Sequence, residues 1–237
     1  MNLHIHSSKD ALAEAFAAYI AQQVQKKESY SIALSGGSTP KVLFQKLASD
    51  YKTLDWSKVK LFWGDERMVP PDHDESNFKM TKDFLLDHID IPAENVFRVM
   101  GENEEEEEVK RYEEVLKANL PQQNGLPQFD LVILGMGEDG HTASIFPHQM
   151  ELLTVDQICA LATHPESGQK RVTLTGVMIN NGAEVAFLVT GVGKAEKVAA
   201  IVNKEGIATF YPAAHIHPKE GQLNWWLDDS AALNIKH

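Results

Sequence analysis

The hydrophobic positions of the chain follow two alternating periods. Between residues 8 and 27 they recur three and four positions apart, which is the spacing of an amphipathic helix. These positions are Ala11, Leu12, Ala15, Phe16, Tyr19 and Ile20. Ser7 or Ser8 is placed to cap this helix. The short apolar runs at 30–34 and 59–63 instead predict strands. A helix with Pro40 in its first turn is predicted between them.

The rest of the chain continues the same alternation. Helical patterns occupy residues 76–86, 104–119 and 193–202. Strands are predicted at 131–134, 158–162, 185–190 and 223–227. The run at 131–134 is apolar at every position, which is typical of a strand covered on both faces. Strands that alternate with helices predict an α/β fold with a largely parallel sheet.

Four polar segments directly follow predicted strands. They are SGGSTP (35–40), GDER (64–67), GMGEDGH (135–141) and TGVGK (190–194). In parallel α/β sheets, ligands bind at the carboxyl ends of the strands. The coincidence predicts that these segments meet at one binding site.

The first segment has the composition of a phosphate-binding loop. Gly36 and Gly37 let the backbone approach an anion, and the following helix would present free N–H groups beside the Ser38 and Thr39 hydroxyls. A Gly-Gly turn before a helix is also ordinary connecting chain, so the local sequence leaves both interpretations open. The GxxxxGK[ST] spacing of a nucleotide P-loop is absent.

The third segment displays one histidine on a glycine-rich turn. Asp139 can fix such a turn by accepting hydrogen bonds from backbone N–H groups. His141 then emerges near the sheet edge, where an imidazole held close to a water or substrate can act as a general base. A lone histidine is more often structural or solvated, which is the alternative interpretation.

The remaining charged candidates are isolated in sequence. Asp65 could accept from sugar hydroxyls and Arg67 could pair with an anionic or polyhydroxyl ligand, or both could simply be solvated. Solvation is also the simplest interpretation of Arg171 and Lys194. Lys194 lies in the first turn of a predicted helix, where a cation is disfavoured unless it meets an anion.

Composition narrows the class of protein. The 237 residues show no internal repeat or linker, which predicts a single domain, 1–237. A net charge of −12 disfavours nucleic-acid and membrane partners but not a small anionic ligand. The single cysteine, Cys159, the lack of a secretory signal and the lack of a long apolar run together predict a cytoplasmic protein. His215 and His217 have strand-like alternation but no third ligand in view, so no metal is predicted.

Taken together, the motifs resemble the 6-phosphogluconolactonase family. They are SGGSTP, GDER…SNF, LGMGEDGHTASIFP, RVTLT…IN and VTGVGKAE, and the likeness runs from about Ser35 to the terminal LNWWLDDSAA. The resemblance implies a single Rossmann-like three-layer αβα domain without a bound dinucleotide. This fold is shared by glucosamine-6-phosphate deaminase, ribose-5-phosphate isomerase and CoA transferases.

The resemblance also implies an activity, the hydrolysis of 6-phospho-D-glucono-1,5-lactone in the second step of the oxidative pentose phosphate pathway. It makes His141 the general base that activates water, with Asp139 fixing its turn, and it brings Asp65 and Arg67 near the lactone ring. The implied phosphate ligands are Gly36, Gly37, Ser38, Thr39, Arg171 and Lys194. The expected partner is a small phosphosugar lactone bound by a monomer or small homo-oligomer, with no cofactor.

Two alternatives stay open at this point. Deaminases of amino-sugar phosphates have a related GxGxDGH turn, but they typically continue with Ile-Ala-Phe-Asn-Glu-Pro and carry a tyrosine in place of Arg67. This chain continues with TASIFP at 142–147, which favours the lactonase. The second alternative is a sugar-phosphate sensor that keeps the pocket without catalysis.

Overall fold

Seven strands form a sheet in which every neighbouring pair runs parallel. The computed structural model describes residues 1–236, so His237, the last residue of the predicted domain, lies outside the described residues. The strands are β1 (Asn2–His6), β2 (Tyr30–Leu34), β3 (Val59–Trp63), β5 (Val96–Phe97), β8 (Leu131–Leu134), β11 (Glu184–Val189) and β12 (Gln222–Asp228). Their order is β1-β12-β11-β8-β2-β3-β5, which confirms the predicted parallel sheet.

Five further strands lie outside this sheet. β4 (Asp65–Arg67), β10 (Lys170–Leu174) and β9 (Cys159–Thr163) form an antiparallel sheet in that order, and β6 (Gln122–Gln123) pairs with β7 (Leu126–Pro127). The strand predicted at 158–162 therefore belongs to a separate antiparallel sheet. The sequence pattern does not predict β4 and β10, because charged residues interrupt the apolar run that is typical of a strand. It also missed β1, an edge strand with exposed side chains.

Helices flank the parallel sheet. They are α1 (Lys9–Lys26), α2 (Ser38–Asp50), α3 (Asn77–Phe84), α4 (Glu105–Asn119), α5 (Gly176–Ile179), α6 (Ala195–Val202) and α7 (Asp229–Ala232). Ser8 caps α1 as predicted, since its Oγ accepts the N–H of Ala11 at 3.1 Å. α6 begins two residues later than predicted because Val192–Lys194 forms a 3-10 turn. A 3-10 helix, Pro212–His215, replaces the strand-like alternation noted at His215.

The central strands are the most buried part of the molecule. Every residue of β2, β8 and β11 is buried. Aromatic pairs fix the layers around them, such as Phe62 stacked on Phe97 at 4.6 Å and Phe16 edge-on to Trp226 at 4.9 Å. Fully buried rings such as those of Phe16 and Phe62 each contribute about 1.5–3 kcal/mol through the area they remove from water. The sheet is therefore a rigid platform for the loops at its carboxyl edge.

Four adjacent strands of the platform carry the four polar segments. β11, β8, β2 and β3 are neighbours in the sheet, and the segments at 190–194, 135–141, 35–40 and 64–67 leave their carboxyl ends. Residues distant in sequence consequently meet at one edge of the sheet, as the alternation of strands and motifs predicted.

Candidate active site

A cavity of about 300 Å³ opens at this edge of the sheet. Every site residue predicted from the sequence lines it, except Asp139, which contacts a lining residue. The predicted lining residues are Gly36, Gly37, Ser38, Thr39, Asp65, Arg67, His141, Arg171 and Lys194. The fold thus brings the predicted residues together.

Asp139 and His141 form a hydrogen-bonded pair beside the cavity. Asp139 Oδ1 accepts from His141 Nδ1 at 2.6 Å and from the His141 backbone N–H at 3.1 Å. Burial raises the pKa of Asp139, but the hydrogen bonds and charge of His141 outweigh it and bring the pKa down to about 2. An ionised carboxylate only accepts, so Nδ1 of a neutral His141 carries the proton and Nε2 keeps its lone pair.

The glycines of this turn are required by packing. A Cβ at Gly137 would overlap His141 Nδ1 and Asp139 Oδ1, and a Cβ at Gly140 would overlap the Tyr211 side chain. Gly140 also has a φ of 85°, a conformation that favours glycine. Gly137 further donates its N–H to the His141 carbonyl at 2.8 Å. The glycine spacing is therefore what allows Asp139 to fold back onto the histidine.

The antiparallel strands β4 and β10 contribute the charged wall of the cavity. Their register sets Arg67 opposite Arg171 and Asp65 opposite Thr173. Burial lowers the pKa of Arg171, the charge of Arg67 lowers it further, and Asp65 acts in the opposite direction. Within residues 1–236, the Nε atoms of both arginines are buried without a hydrogen-bond partner. Such an arrangement favours an anionic ligand, which would satisfy both guanidinium groups.

The start of α2 also lines the cavity. Gly37, with a φ of 108°, precedes the helix, and no side chain of the described residues caps the first N–H groups. Free N–H groups at a helix start form a site for anions. Thr39 Oγ1 shares a hydrogen bond of 2.8 Å with Thr190 Oγ1, which ties this loop to the segment that carries Lys194. Burial lowers the pKa of Lys194, while the negative charges of Glu138 and Asp139 act in the opposite direction.

Sequence reasoning missed several residues that build the site. Asn77 lines the cavity, and its Nδ2 donates to the Asp65 carbonyl at 2.9 Å. A Cβ at Gly36 would overlap the Asn77 amide, so that glycine is needed for close packing. Glu66 is buried and accepts from the backbone N–H groups of Arg67, Asn77 and Phe78 at 2.7–2.8 Å. The available signal was its position between Asp65 and Arg67 in GDER, but only tertiary contacts reveal its partners.

Two negative observations apply to residues 1–236. No group of three or more histidine, cysteine or acidic side chains is placed to hold a metal ion. No helix in that range is long and apolar enough to cross a membrane.

Comparison with known proteins identifies the family of this chain. The family model described as glucosamine-6-phosphate isomerases/6-phosphogluconolactonase matches residues 6–225. A 6-phosphogluconolactonase of Haemophilus influenzae is 45% identical over 224 residues, which cover 94% of this chain and 93% of the relative. The solved 6-phosphogluconolactonase of Trypanosoma brucei is 29% identical with a TM-score of 0.89, covering 99% of this chain and 98% of the other.

A more distant structure shares the fold alone. It is a monomeric glucosamine-6-phosphate deaminase that is 21% identical with a TM-score of 0.82, covering 99% of this chain and 100% of the other. This agrees with the fold that the sequence resemblance implied. The chain belongs to the family of glucosamine-6-phosphate isomerases and 6-phosphogluconolactonases.

Proposed function

We propose that this chain hydrolyses 6-phospho-D-glucono-1,5-lactone to 6-phospho-D-gluconate, the second step of the oxidative pentose phosphate pathway. The observation that carries the proposal is the Asp139–His141 pair beside a cavity lined by Arg67, Arg171 and Lys194. This arrangement joins a general base to a set of cations suited to a phosphorylated ester. The relatives of this chain that are named as 6-phosphogluconolactonases support the same substrate.

His141 acts as the general base in this proposal. Its Nε2 takes a proton from water as the water oxygen attacks C1 of the lactone. Asp139 holds the ring in the required tautomer and stabilises the imidazolium that forms. When the tetrahedral intermediate collapses, the bond from C1 to the ring oxygen breaks and His141 returns the proton to that oxygen. The acid product then releases one proton to the solvent, and the mechanism uses no cofactor.

The developing negative charge needs a positive partner. Arg67 supplies it in this proposal, because its guanidinium lines the cavity on the same wall as Asp65. Arg67 Nη1 donates to the Glu75 carbonyl at 2.5 Å, which helps to hold the side chain in place. Asp65 accepts from a sugar hydroxyl and so orients the ring. A fixed donor aimed at the oxyanion lowers the barrier without reorganisation during the reaction.

The phosphate at C6 is the binding handle. Arg171, Lys194 and the free N–H groups of the 36–39 loop hold it, with the hydroxyls of Ser38 and Thr39 beside them. Binding energy from this remote group orients the carbonyl toward His141. We further propose that the whole chain, 1–237, forms one lactonase domain and acts in the cytoplasm, where its buried thiol, Cys159, stays reduced.

Proton release in weak buffer tests the proposal. Freshly prepared lactone is mixed with the native protein, with His141→Ala and with His148→Ala, and spontaneous hydrolysis is the blank. His148 is a matched control, because its ring also packs on Phe146 but does not line the cavity. We expect His141→Ala to lose about 10²–10⁴-fold in rate and His148→Ala to match the native protein.

The same experiment separates the alternatives. A native rate equal to the blank would overturn the lactonase proposal. Ammonia release from glucosamine 6-phosphate would then indicate a deaminase. Tight binding of the phosphosugar without turnover of either compound would indicate a sensor.

A further inference from the structure

Ser144 contacts both strands of the charged wall, through Asp65 on β4 and Arg171 on β10. The side chain is fully buried, and its Oγ donates to Asp65 Oδ2 at 2.6 Å. The same oxygen accepts from Arg171 Nη1 at 3.4 Å. An ionised Asp65 only accepts and a guanidinium only donates, so the single proton of the hydroxyl is committed to Asp65. The contact between Asp65 and Arg171 therefore runs through a hydroxyl rather than through a direct ion pair.

The backbone around Ser144 is fixed on both sides. Its N–H donates to Thr173 Oγ1 on β10 at 3.1 Å, while Thr142 Oγ1 donates to the Gly135 carbonyl at 2.9 Å. Ala143 between them has a φ of 47°, which an alanine adopts only when the surroundings enforce it. This turn begins directly after His141. It thus connects the histidine turn at the end of β8 to the separate sheet that carries the arginines.

We propose that Ser144 is a positioning residue that keeps Asp65 and Arg171 apart, so that the Arg171 guanidinium stays free for the substrate phosphate. A direct ion pair would satisfy Arg171 inside the protein and consume the charge that the ligand needs. With the hydroxyl in between, Arg171 is held by one long hydrogen bond, and its buried Nε keeps no partner within residues 1–236. This inference rests on the proposed role of Arg171 as a phosphate ligand.

Removal of the hydroxyl has a defined consequence. In Ser144→Ala, Asp65 Oδ2 loses its donor, and a buried carboxylate without a donor is drawn to a neighbouring cation, here Arg171, which bonds the same hydroxyl. The loss of one charge-assisted hydrogen bond to phosphate corresponds to about a tenfold weaker affinity. We expect a tenfold rise in the Kd of 6-phosphogluconate and in KM, with a smaller change in kcat.

A double-mutant cycle with Asp65 distinguishes positioning from a general structural effect. Calorimetry measures the Kd of 6-phosphogluconate, and of inorganic phosphate as a second probe, for Ser144→Ala in the native and the Asp65→Asn backgrounds. A neutral amide does not capture Arg171. Ser144→Ala should therefore raise the Kd tenfold in the native background, which keeps Asp65, and less than twofold in the Asp65→Asn background. Equal weakening in both backgrounds would overturn the proposal.

Ser31 provides a matched control. Its Oγ is also buried and donates to a carboxylate, Asp130 Oδ2, at 2.8 Å, but neither residue lines the cavity. Ser31→Ala should lower the thermal midpoint without changing the Kd of 6-phosphogluconate. Ser144→Cys, which keeps a weak donor of similar size, should give a smaller rise in Kd than Ser144→Ala. A rise in the Kd of Ser144→Cys as large as that of Ser144→Ala would count against the proposal that the hydroxyl keeps Asp65 and Arg171 apart.

Turnover of the lactone is measured separately on the native protein. If the native protein binds 6-phosphogluconate and the cycle shows the expected coupling but no lactone is hydrolysed, the proposed function fails and the role of Ser144 stands. If the native protein hydrolyses the lactone and the coupling is absent, the role of Ser144 fails and the proposed function stands.

Discussion

Arg67 and Arg171 lie directly opposite each other on the paired antiparallel strands β4 and β10. Like charges at directly opposed positions destabilise a strand pair. Both arginines line the cavity. The charge of Arg67 contributes to the lowered pKa of Arg171. If this wall binds an anion, as proposed, the anion would reduce the repulsion, and the strand pair and the ligand would stabilise each other.

The proposed assignment of Arg171 to the phosphate predicts that phosphate stabilises the folded protein. At a phosphate concentration about 100 times Kd, binding should raise the free energy of unfolding of the native protein by about 2.7 kcal/mol. We expect Arg171→Met to lose most of this gain, measured as the difference in denaturant unfolding with and without phosphate. Arg98→Met is the control, because Arg98 pairs with Glu102 outside the cavity. An undiminished gain in Arg171→Met would contradict the assignment of Arg171 to the anion.

Gly137→Ala should disrupt the Asp139–His141 pair although it replaces neither residue. The new Cβ would overlap both His141 Nδ1 and Asp139 Oδ1, so the pair cannot keep its hydrogen bond. We expect a loss of kcat of about 10²-fold or more and a fall of about 1–3 kcal/mol in the free energy of unfolding. Gly206→Ala, where a Cβ meets nothing within 4 Å, should leave kcat unchanged. Normal turnover by Gly137→Ala would show that this pair is dispensable.

The Asp139 carboxylate should make stability depend on pH in acid. Its pKa is lowered from 3.8 to about 2 in the folded protein, so its contribution is present above pH 3.8 and is lost as pH falls through 2. We expect the free energy of unfolding of the native protein to exceed that of Asp139→Asn at pH 5. This difference, or gap, should close between pH 4 and 2. Urea unfolding at several pH values measures this gap. A gap that stays constant over that range would refute the linkage.

Much of the sheet could be predicted from the sequence because its signals are local. The runs at 30–34, 59–63 and 131–134 are mostly apolar and long enough only for strands. Burial of every position except Lys60 in a parallel sheet removes the need for polar alternation. The cap at Ser8 depends on a hydrogen bond three residues away. Gly137 likewise acts within its own turn, where a Cβ would overlap His141 and Asp139.

The charged wall could not be predicted, because its causes are not local. β4 is a three-residue strand of Asp, Glu and Arg that forms only when β10, about a hundred residues later, supplies its partner. The burial of Glu66 depends on the N–H groups at the start of α3. Sequence alone therefore determined the platform and the segments that reach its edge. Only the tertiary structure decided that Arg67 faces Arg171 and that Ser144 stands between Asp65 and Arg171, since long-range pairing and burial set those contacts.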